Sequence, residues 1–207
     1  MGFYDKYIMP RFINCACGSK PIMKQREKVV GQASGVVLEI GIGTGLNLPF
    51  YDATKVERLI GLDPSEQSWV LAGERAAKLE FDVEFIGLPG EQIPLHDNSV
   101  DTVLVTYSLC TIPDPVAALE GMARVLKPGG QLIFCEHGIA PDDNVIKWQE
   151  RINPIWNPIA GGCNINRNIP NLIGSAGFAI QNLQEMYLPS TPKIAGYNYW
   201  GTATHSS

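Results

Sequence analysis

The chain has 207 residues, a formal net charge of −5 at pH 7, and 45% hydrophobic against 18% charged residues. This length and composition predict one globular domain, 1–207, that buries ~70% of its unfolded surface. No apolar run reaches the ~20 residues that a membrane-spanning helix needs. The acidic balance argues against a nucleic-acid partner, because nucleic acids attract basic surfaces.

The first thirty residues differ from the rest in charge. They carry a net charge of +4, so the remainder carries −9. Aromatic and apolar residues, among them Tyr4 and Tyr7, alternate with these charges at near-helical spacing, and Lys20 to Val30 reads as a second helix. We expect an N-terminal helical cover, 1–30. Its basic residues are either solvated or make a weak, salt-sensitive contact with an anionic membrane surface.

The cysteines and the chain start bear on the compartment. Five cysteines (15, 17, 110, 135 and 163) are an odd number and are scattered, which is typical of a reduced protein without a disulfide framework. Cys15 and Cys17 lack a second pair at zinc spacing, so we expect them to pack and expect no metal site. The start lacks the apolar core of a signal peptide, and we expect a cytoplasmic protein.

The stretch Val36 to Asn47 carries the strongest motif. An apolar run ends in Glu39, and Gly41, Gly43 and Gly45 follow at every second position. This pattern predicts a strand, a tight turn and a helix start, since glycine allows positive φ and a close ligand approach. A dinucleotide fingerprint would be G-x-G-x-x-G, which this chain does not have. An acid beside the turn favours a nucleoside ligand with a positive charge over a ligand with phosphates.

A second acid follows at the end of the next predicted strand, Glu57 to Asp63. Asp63 lies where doubly wound folds place a carboxylate that accepts hydrogen bonds from the ribose hydroxyls. The alternative is that Asp63 only caps the helix that begins after Pro64 and Ser65.

The remaining pattern predicts more strands and one long irregular segment. Predicted strands cover 83–87, 98–107, 131–137, 178–188 and 195–203, and a helix that precedes 127–130 is expected to end in a left-handed glycine cap. Residues 142–177 read as less regular. The predicted fold class is α/β: a Rossmann-like, doubly wound, seven-stranded sheet in three α/β/α layers with a C-terminal antiparallel hairpin.

Two motifs resemble one enzyme family. The glycine motif and the run from Asp101 through Leu109-Cys110-Thr111-Ile112 to Lys127-Pro128-Gly129-Gly130 resemble the class I S-adenosylmethionine (SAM) methyltransferases with a type 11 domain. The resemblance implies SAM as cofactor and S-adenosylhomocysteine as product. It implies cofactor contacts from Tyr4, Glu39, Gly41, Gly43, Gly45, Asp63, Pro64, Gly90, Glu91, Thr106 and Tyr107. The family's acid before Gly90 is replaced here by Leu88 or Pro89, so either a side chain or a backbone amide meets the adenine.

Three further segments resemble a subgroup that includes the alkyl-thiol methyltransferases and bacterial proteins labelled phospholipid methyltransferases. They are the Leu109-Cys110 loop, Glu136-His137, and Trp156 with Gly162 to Arg167 in an acceptor-side insertion, 138–177. The resemblance implies a small thiol acceptor. A phosphatidylethanolamine-type amine and a non-catalytic SAM-binding module are the alternatives. The expected catalytic residues are His137, Tyr107 and Arg167, and the expected acceptor contacts are Cys110, His137, Trp156, Asn164 and Arg167. His137 acts as a base or only orients a loop, and Cys110 alternatively only packs.

Overall fold

The structure, a computed structural model, describes residues 17–205. Tyr4, Tyr7 and most of the predicted N-terminal cover lie outside these residues. The strands are β1 Gly35–Ile40, β2 Val56–Leu62, β3 Asp82–Ile86, β4 Val100–Thr106, β5 Leu126–His137, β6 Phe178–Tyr187 and β7 Tyr197–His205. The helices are α1 Lys20–Val30, α2 Glu66–Ala76, α3 Pro115–Val125, α4 Asp143–Ile159, α5 Ile169–Ser175 and α6 Lys193–Gly196. Within 17–205, no helix is both long and apolar enough to cross a membrane.

The strands form one seven-stranded sheet in the order β3-β2-β1-β4-β5-β7-β6. The first five strands are parallel, and β7 runs antiparallel between β5 and β6. This confirms the predicted doubly wound sheet with a C-terminal antiparallel hairpin.

The register of the central strands brings their carboxyl ends to one edge. Ile40 at the end of β1 pairs with Leu62 of β2 and with Val105 of β4. The residues that follow, including Asp63 and Thr106, therefore meet at the same edge. Ligands of open α/β sheets bind there, where the strand order reverses.

Alternate residues of the central strands build two apolar cores, one on each face. On β1, for example, Leu38 belongs to the core that contains Met122 of α3, and Val37 belongs to the core that contains Val29 and Val30 of α1. Strands buried on both faces carry continuous apolar runs. Helices α3 and α1 therefore pack on opposite faces of the sheet.

The helix predicted directly after the glycine turn is wrong. Only a 3-10 helix, Leu48–Phe50, follows the turn. Pro49 lacks an N–H donor, and the side chain of Asn47 is turned into the interior, where it donates to Glu39. The segment between β1 and β2 is short, and its residues make contacts that a full α-helix would break.

The predicted glycine cap is also wrong. Helix α3 ends at Val125, and its C-cap residue, Leu126, is already extended. Val100 of β4 pairs with Leu126 and Thr102 pairs with Gln131, so residues 127–130 bulge out of the strand. Gly129, with φ of +82°, supplies this bend and does not cap the helix.

Residues 142–177 are more regular than predicted, since they contain α4 and α5. Helix α4 continues through Pro154 and Pro158, two residues that disfavour a helix interior. Tertiary contacts outweigh this preference. The buried Gln149 side chain accepts from Ala140 N and donates to the carbonyls of Gly138, Ile165 and Ile194.

Candidate active site

The glycine turn after β1 has the predicted backbone conformation. Gly41, Gly43 and Gly45 all have positive φ, at +71°, +49° and +73°. A Cβ on Gly41 would overlap Ser108 Oγ, and one on Gly45 would lie 2.6 Å from Leu48 Cδ1. These positions therefore need glycine both for conformation and for space.

Asp63 closes the same turn from the end of β2. Its Oδ2 accepts from Gly43 N at 3.0 Å, and its Oδ1 accepts from Ser65 N at 2.8 Å. Burial raises the pKa of Asp63, while these two N–H groups favour its charged form. The carboxylate thus joins the glycine turn to the start of α2 at the edge where ligands bind.

A cavity of about 810 Å³ lies above this edge. Eight of the residues predicted to bind cofactor line it: Gly41, Gly43, Asp63, Pro64, Gly90, Glu91, Thr106 and Tyr107. Its volume is within the range of small-molecule sites. The structure therefore brings most of the predicted cofactor residues together around one space.

Glu39 and Gly45 do not line this cavity among the described residues. Glu39 is 2% exposed, and its carboxylate accepts from Asn47 Nδ2 at 2.9 Å and from the Tyr51 hydroxyl at 2.6 Å. Burial raises the pKa of Glu39 to about 7, although both hydrogen bonds lower it. Glu39 therefore lies one layer behind the cavity wall.

Arg26 of α1 lines the cavity and was not predicted from the sequence. It is buried, lines the cavity, and donates to Asn47 Oδ1 at 2.8 Å and to Thr106 Oγ1 at 2.7 Å. Its guanidinium lies 5.0 Å from the centre of the Tyr107 ring. Its Nε has no hydrogen-bond partner among the described residues. The available signal was its spacing, three and four residues before the apolar Val29 and Val30, which places it on the inward face of α1.

The loop after β3 forms another wall of the cavity. A Cβ on Gly90 would lie 2.9 Å from Ile112 Cδ1, so this loop packs tightly on the loop after β4. Glu91 Oε1 accepts from Asp114 N at 3.1 Å. Glu91 is thus at the cavity, and its carboxylate also supports the start of α3.

Tyr107 contributes a ring to the cavity wall. Its hydroxyl donates to Asn198 Oδ1 at 2.6 Å, on β7, and burial raises its pKa well above the ordinary value. Its ring stacks on His137 with centroids 6.4 Å apart. The predicted catalytic role of Tyr107 stays a prediction, and its observed contacts are those of a positioned wall residue.

Two predicted acceptor residues hold the loop after β4 in place. Arg167 donates through one Nη to the carbonyls of Leu109 and Ile112. Asn164 donates to Cys110 O from its backbone N at 2.8 Å and from its Nδ2 at 3.0 Å. Both side chains lie behind this loop and not among the described cavity-lining residues. Their predicted contact with the acceptor stays a prediction.

Cys110, His137 and Cys163 come together from three segments far apart in sequence. One ligand-type atom from each lies within 4.8 Å of the others, and Cys163 Sγ is 3.2 Å from His137 Nε2. Burial alone would lower the pKa of His137, but the Cys163 contact raises it. His137 Nδ1 has no partner among the described residues. We call these three residues the Cys-His-Cys cluster.

The buried carboxylate of Glu136 anchors this cluster. Its Oε1 accepts from Ser108 N at 2.7 Å and from Leu109 N at 3.1 Å. Burial raises the pKa of Glu136 to about 7, although these N–H groups lower it. Glu136 therefore fixes the loop after β4 against the end of β5.

Trp156 lies on α4 within the predicted acceptor-side insertion. Its indole Nε1 is buried without a partner among the described residues, and it is not among the described residues that line the cavity. Its predicted role as an acceptor contact stays a prediction.

The fold and the cavity together define a Rossmann-like SAM methyltransferase: a glycine turn, an acid at the end of β2, and a reversed terminal hairpin. Residues 38–134 match the family described as methyltransferase domain. Thiol S-methyltransferase TMT1B of Homo sapiens is 34% identical over 176 residues, which are 79% of this chain and 71% of that protein. The Rattus norvegicus TMT1B is 31% identical over 188 residues, 86% and 76% of the two chains. The chain belongs to the family of SAM-dependent methyltransferases that includes these proteins.

A more distant relative and two solved structures are also similar to this chain. Phosphatidylethanolamine N-methyltransferase of Cereibacter sphaeroides is 29% identical over 110 residues, 52% of this chain and 53% of that protein. A SAM-dependent methyltransferase of Leishmania major has a TM-score of 0.68 at 14% identity, covering 95% of this chain and 79% of that one. A geranyl diphosphate methyltransferase solved with SAM also scores 0.68 at 14% identity, covering 89% and 84%. These structures support the fold.

Proposed function

We propose that this methyltransferase transfers the methyl group of SAM to the sulfur of a small thiol. The observation that carries the proposal is the similarity to the TMT1B proteins. It extends over 176 and 188 residues, well beyond the matched domain of residues 38–134, and so includes segments outside the cofactor-binding core. The similarity to the phosphatidylethanolamine enzyme is shorter, at 110 residues.

The cavity residues fit the parts of SAM. The glycine turn allows close approach, and Asp63 offers a carboxylate to the ribose hydroxyls. Gly90, with Glu91 beside it, lines the wall that the adenine would meet. When bound, SAM supplies an electrophilic methyl group on a sulfonium. The protein has to hold an acceptor in line with that methyl, and alignment alone is worth up to ~7–11 kcal/mol.

Arg26 fits the carboxylate of the amino-acid part. It is a buried cation on the cavity wall, and its Nε has no hydrogen-bond partner among residues 17–205. An arginine pairs with a carboxylate through charge-assisted hydrogen bonds. Thr106 and Asn47 hold the guanidinium in place. Glu39 lies behind Asn47 and does not line the cavity. Its negative charge would attract the ligand's ammonium group without a direct hydrogen bond to it.

The acceptor side favours a thiol over an amine. A thiol has a pKa of ~8.5, so a few per cent is already thiolate at neutral pH, and thiolate is a strong nucleophile. An alkyl amine near pKa ~10 is mostly protonated and needs a base. Glu136 Oε1 accepts from two backbone N–H groups while its Oε2 is buried without a partner among residues 17–205, and His137 Nε2 faces Cys163. Neither residue is among the described residues that line the cavity.

A panel of acceptors tests the proposal. The purified chain is incubated with SAM and, separately, with a short alkyl thiol, an alkyl amine, a phenol and phosphatidylethanolamine vesicles, and products are identified by mass spectrometry. We expect S-adenosylhomocysteine and a methyl thioether with the thiol alone. Methylation of the phosphatidylethanolamine headgroup without thiol methylation would contradict the proposal, and so would SAM binding without transfer to any acceptor.

A further inference from the structure

The Cys-His-Cys cluster has the composition of a metal site. Two thiols and one imidazole are the ligand types that Zn²⁺ prefers, and catalytic zinc sites combine three protein ligands with one open position. Cysteines and a histidine from three separate segments meet here beside the cavity. Packing alone does not require three such side chains at one point.

The distances suit a tetrahedral ion after small side-chain shifts. With bonds of about 2.3 Å to sulfur and 2.0–2.1 Å to nitrogen, tetrahedral ligand atoms lie about 3.5–3.8 Å apart. The contact between Cys163 Sγ and His137 Nε2 is 3.2 Å, and all three ligand atoms lie within 4.8 Å of one another. Shifts of an ångström or less at the side chains therefore produce the required geometry.

The backbone around the cluster is held as a metal site needs. Asn164 donates twice to Cys110 O, which ties the Cys110 loop to the segment that carries Cys163. Glu136 binds the amides of Ser108 and Leu109, which ties the same loop to the strand that carries His137. The three elements are thus cross-linked by hydrogen bonds, and outer contacts of this kind orient ligands.

The cluster lies directly behind the cavity wall. Cys110 Sγ is 3.5 Å from Thr111 Oγ1, and Thr111 lines the cavity. Gly161, two residues before Cys163, lines it as well. Cys17 is a further cavity-lining thiol, and it lies close enough to Cys163 to interact electrostatically. The cluster therefore borders the cavity in which the acceptor would lie.

We propose that Cys110, His137 and Cys163 bind one Zn²⁺ whose open position takes the sulfur of the acceptor thiol. Coordination of the acceptor sulfur rests on the proposed thiol methylation, whereas binding of the metal does not. On coordination the thiol releases its proton to water and becomes a bound thiolate. Its sulfur electron pair forms the new S–CH₃ bond as the methyl–sulfonium bond breaks, with that pair left on S-adenosylhomocysteine. The neutral thioether is a weaker ligand and dissociates.

Metal content and a cobalt spectrum test the site without using activity. The full chain, purified under reducing conditions, should contain about one zinc per molecule, and Co²⁺ exchanged for zinc should show thiolate-to-cobalt charge transfer and intense tetrahedral d–d bands. Cys163→Ser and Cys110→Ser should weaken zinc affinity by more than ~100-fold, which exceeds the usual effect of an outer contact. Cys135→Ala is the control, because Cys135 is a buried cysteine outside the cluster and should leave the cobalt spectrum unchanged.

Cys17→Ser and added thiol separate the remaining outcomes. Loss of the cobalt spectrum in Cys17→Ser would overturn the open position, since Cys17 would then be the fourth ligand. Absence of metal in the parent protein, or a disulfide between Cys110 and Cys163, would overturn the site itself. A shift of the charge-transfer band on adding propanethiol supports thiol coordination.

The rate of thiol methylation tests the role of the metal in the reaction. Thiol methylation at an unchanged rate in zinc-free protein would overturn that role and leave the proposed function standing. A cobalt spectrum from the cluster without any thiol methylation would support the metal site and overturn the proposed function.

Correct folding of the cysteine variants is checked by their binding of S-adenosylhomocysteine, which uses other residues. A variant that binds this ligand like the parent but has lost zinc supports the assignment. A variant that loses both is replaced by His137→Gln, which removes a ligand atom and keeps a polar side chain.

Discussion

Arg26 and Asp63 face one cavity and are assigned to opposite ends of the same ligand. Asp63 is assigned to the ribose end and Arg26 to the amino-acid end. Substitutions at the two positions should therefore change the affinities for a long and a short ligand differently. S-Adenosylhomocysteine contains both ends. 5′-Methylthioadenosine has the ribose and adenine but lacks the amino-acid carboxylate.

Asp63→Asn should weaken both ligands by roughly 10–100-fold, because a charge-assisted hydrogen bond contributes about 1.5–3 kcal/mol. Arg26→Met should weaken S-adenosylhomocysteine by a similar factor and leave 5′-methylthioadenosine within about twofold. Isothermal titration calorimetry measures each pair. Equal losses of both ligands in Arg26→Met, with an unchanged melting temperature, would contradict the carboxylate assignment.

Gly41 is the position where the turn tolerates a side chain least. Gly41→Ala places a Cβ at φ of +71° and onto Ser108 Oγ. We expect a loss of about 1–3 kcal/mol of unfolding free energy, together with weaker SAM binding. Urea denaturation measures it.

Gly73→Ala is the matched control for that substitution. Gly73 lies in α2, and no atom is within 4 Å of a Cβ placed there. It should gain roughly 0.5–1 kcal/mol. If both variants changed stability by the same amount, the strain assigned to the turn at Gly41 would be absent.

At the scale of elements, a buried polar network ties α1 to β1 and β4. Glu39 accepts from Asn47 and Tyr51, and Arg26 binds Asn47 and Thr106. Glu39 also senses the charge of Asp63, which raises its pKa further. Burial has the largest effect, and the pKa of Glu39 in the folded protein is about 7 against an ordinary value of 4.5.

This shift predicts how stability depends on pH in the absence of SAM. The folded protein keeps the Glu39 proton to a higher pH than the unfolded chain, so the stability it contributes is present below about pH 4.5 and lost as the pH rises through about 7. The loss is about 3 kcal/mol at most. Glu39→Gln should remove it and gain several degrees in melting temperature, relative to the parent, between pH 5 and pH 8.

Glu136 titrates in the same range but is common to both proteins, so the difference between parent and variant isolates Glu39. Parallel pH profiles for the two proteins in a thermal scan would contradict the raised pKa of Glu39.

Elements that are marked by the local sequence could be predicted, whereas elements stabilised by distant contacts could not. Strands β1 and β4 each contain a short apolar run, Val36-Val37-Leu38 and Val103-Leu104-Val105, and the acid-glycine motif marks the turn after β1, so these features could be found from local sequence. Helix α4 could not, because Pro154 and Pro158 oppose it locally and contacts of Gln149 with three distant carbonyls stabilise it. Gly129 was predicted to cap a helix because its role in the β5 bulge depends on the pairing of β5 with β4. That pairing is not visible in the local sequence.

For the whole molecule, the doubly wound seven-stranded sheet and its C-terminal antiparallel hairpin were predictable, and the acceptor side was only partly so. The residues predicted to bind the cofactor follow strand ends that meet by register, and eight of them line the cavity. The Cys-His-Cys cluster joins positions 110, 137 and 163 through the tertiary fold, and no spacing rule for metal ligands detects it. The expectation of no metal site was based on the spacing of Cys15 and Cys17 alone, and the structure does not test it.

The choice of methyl acceptor atom is the central claim for the whole molecule. 2-Aminoethanethiol presents both candidate atoms, a thiol and an amine, within one small acceptor at equal concentration. Its two monomethyl products have the same mass and differ in their fragmentation, so tandem mass spectrometry of a reaction with SAM identifies the methylated atom. We predict S-methylation, with S-adenosylhomocysteine formed in equal amount. Methylation of the nitrogen instead would contradict the thiol assignment and leave the amine as the acceptor.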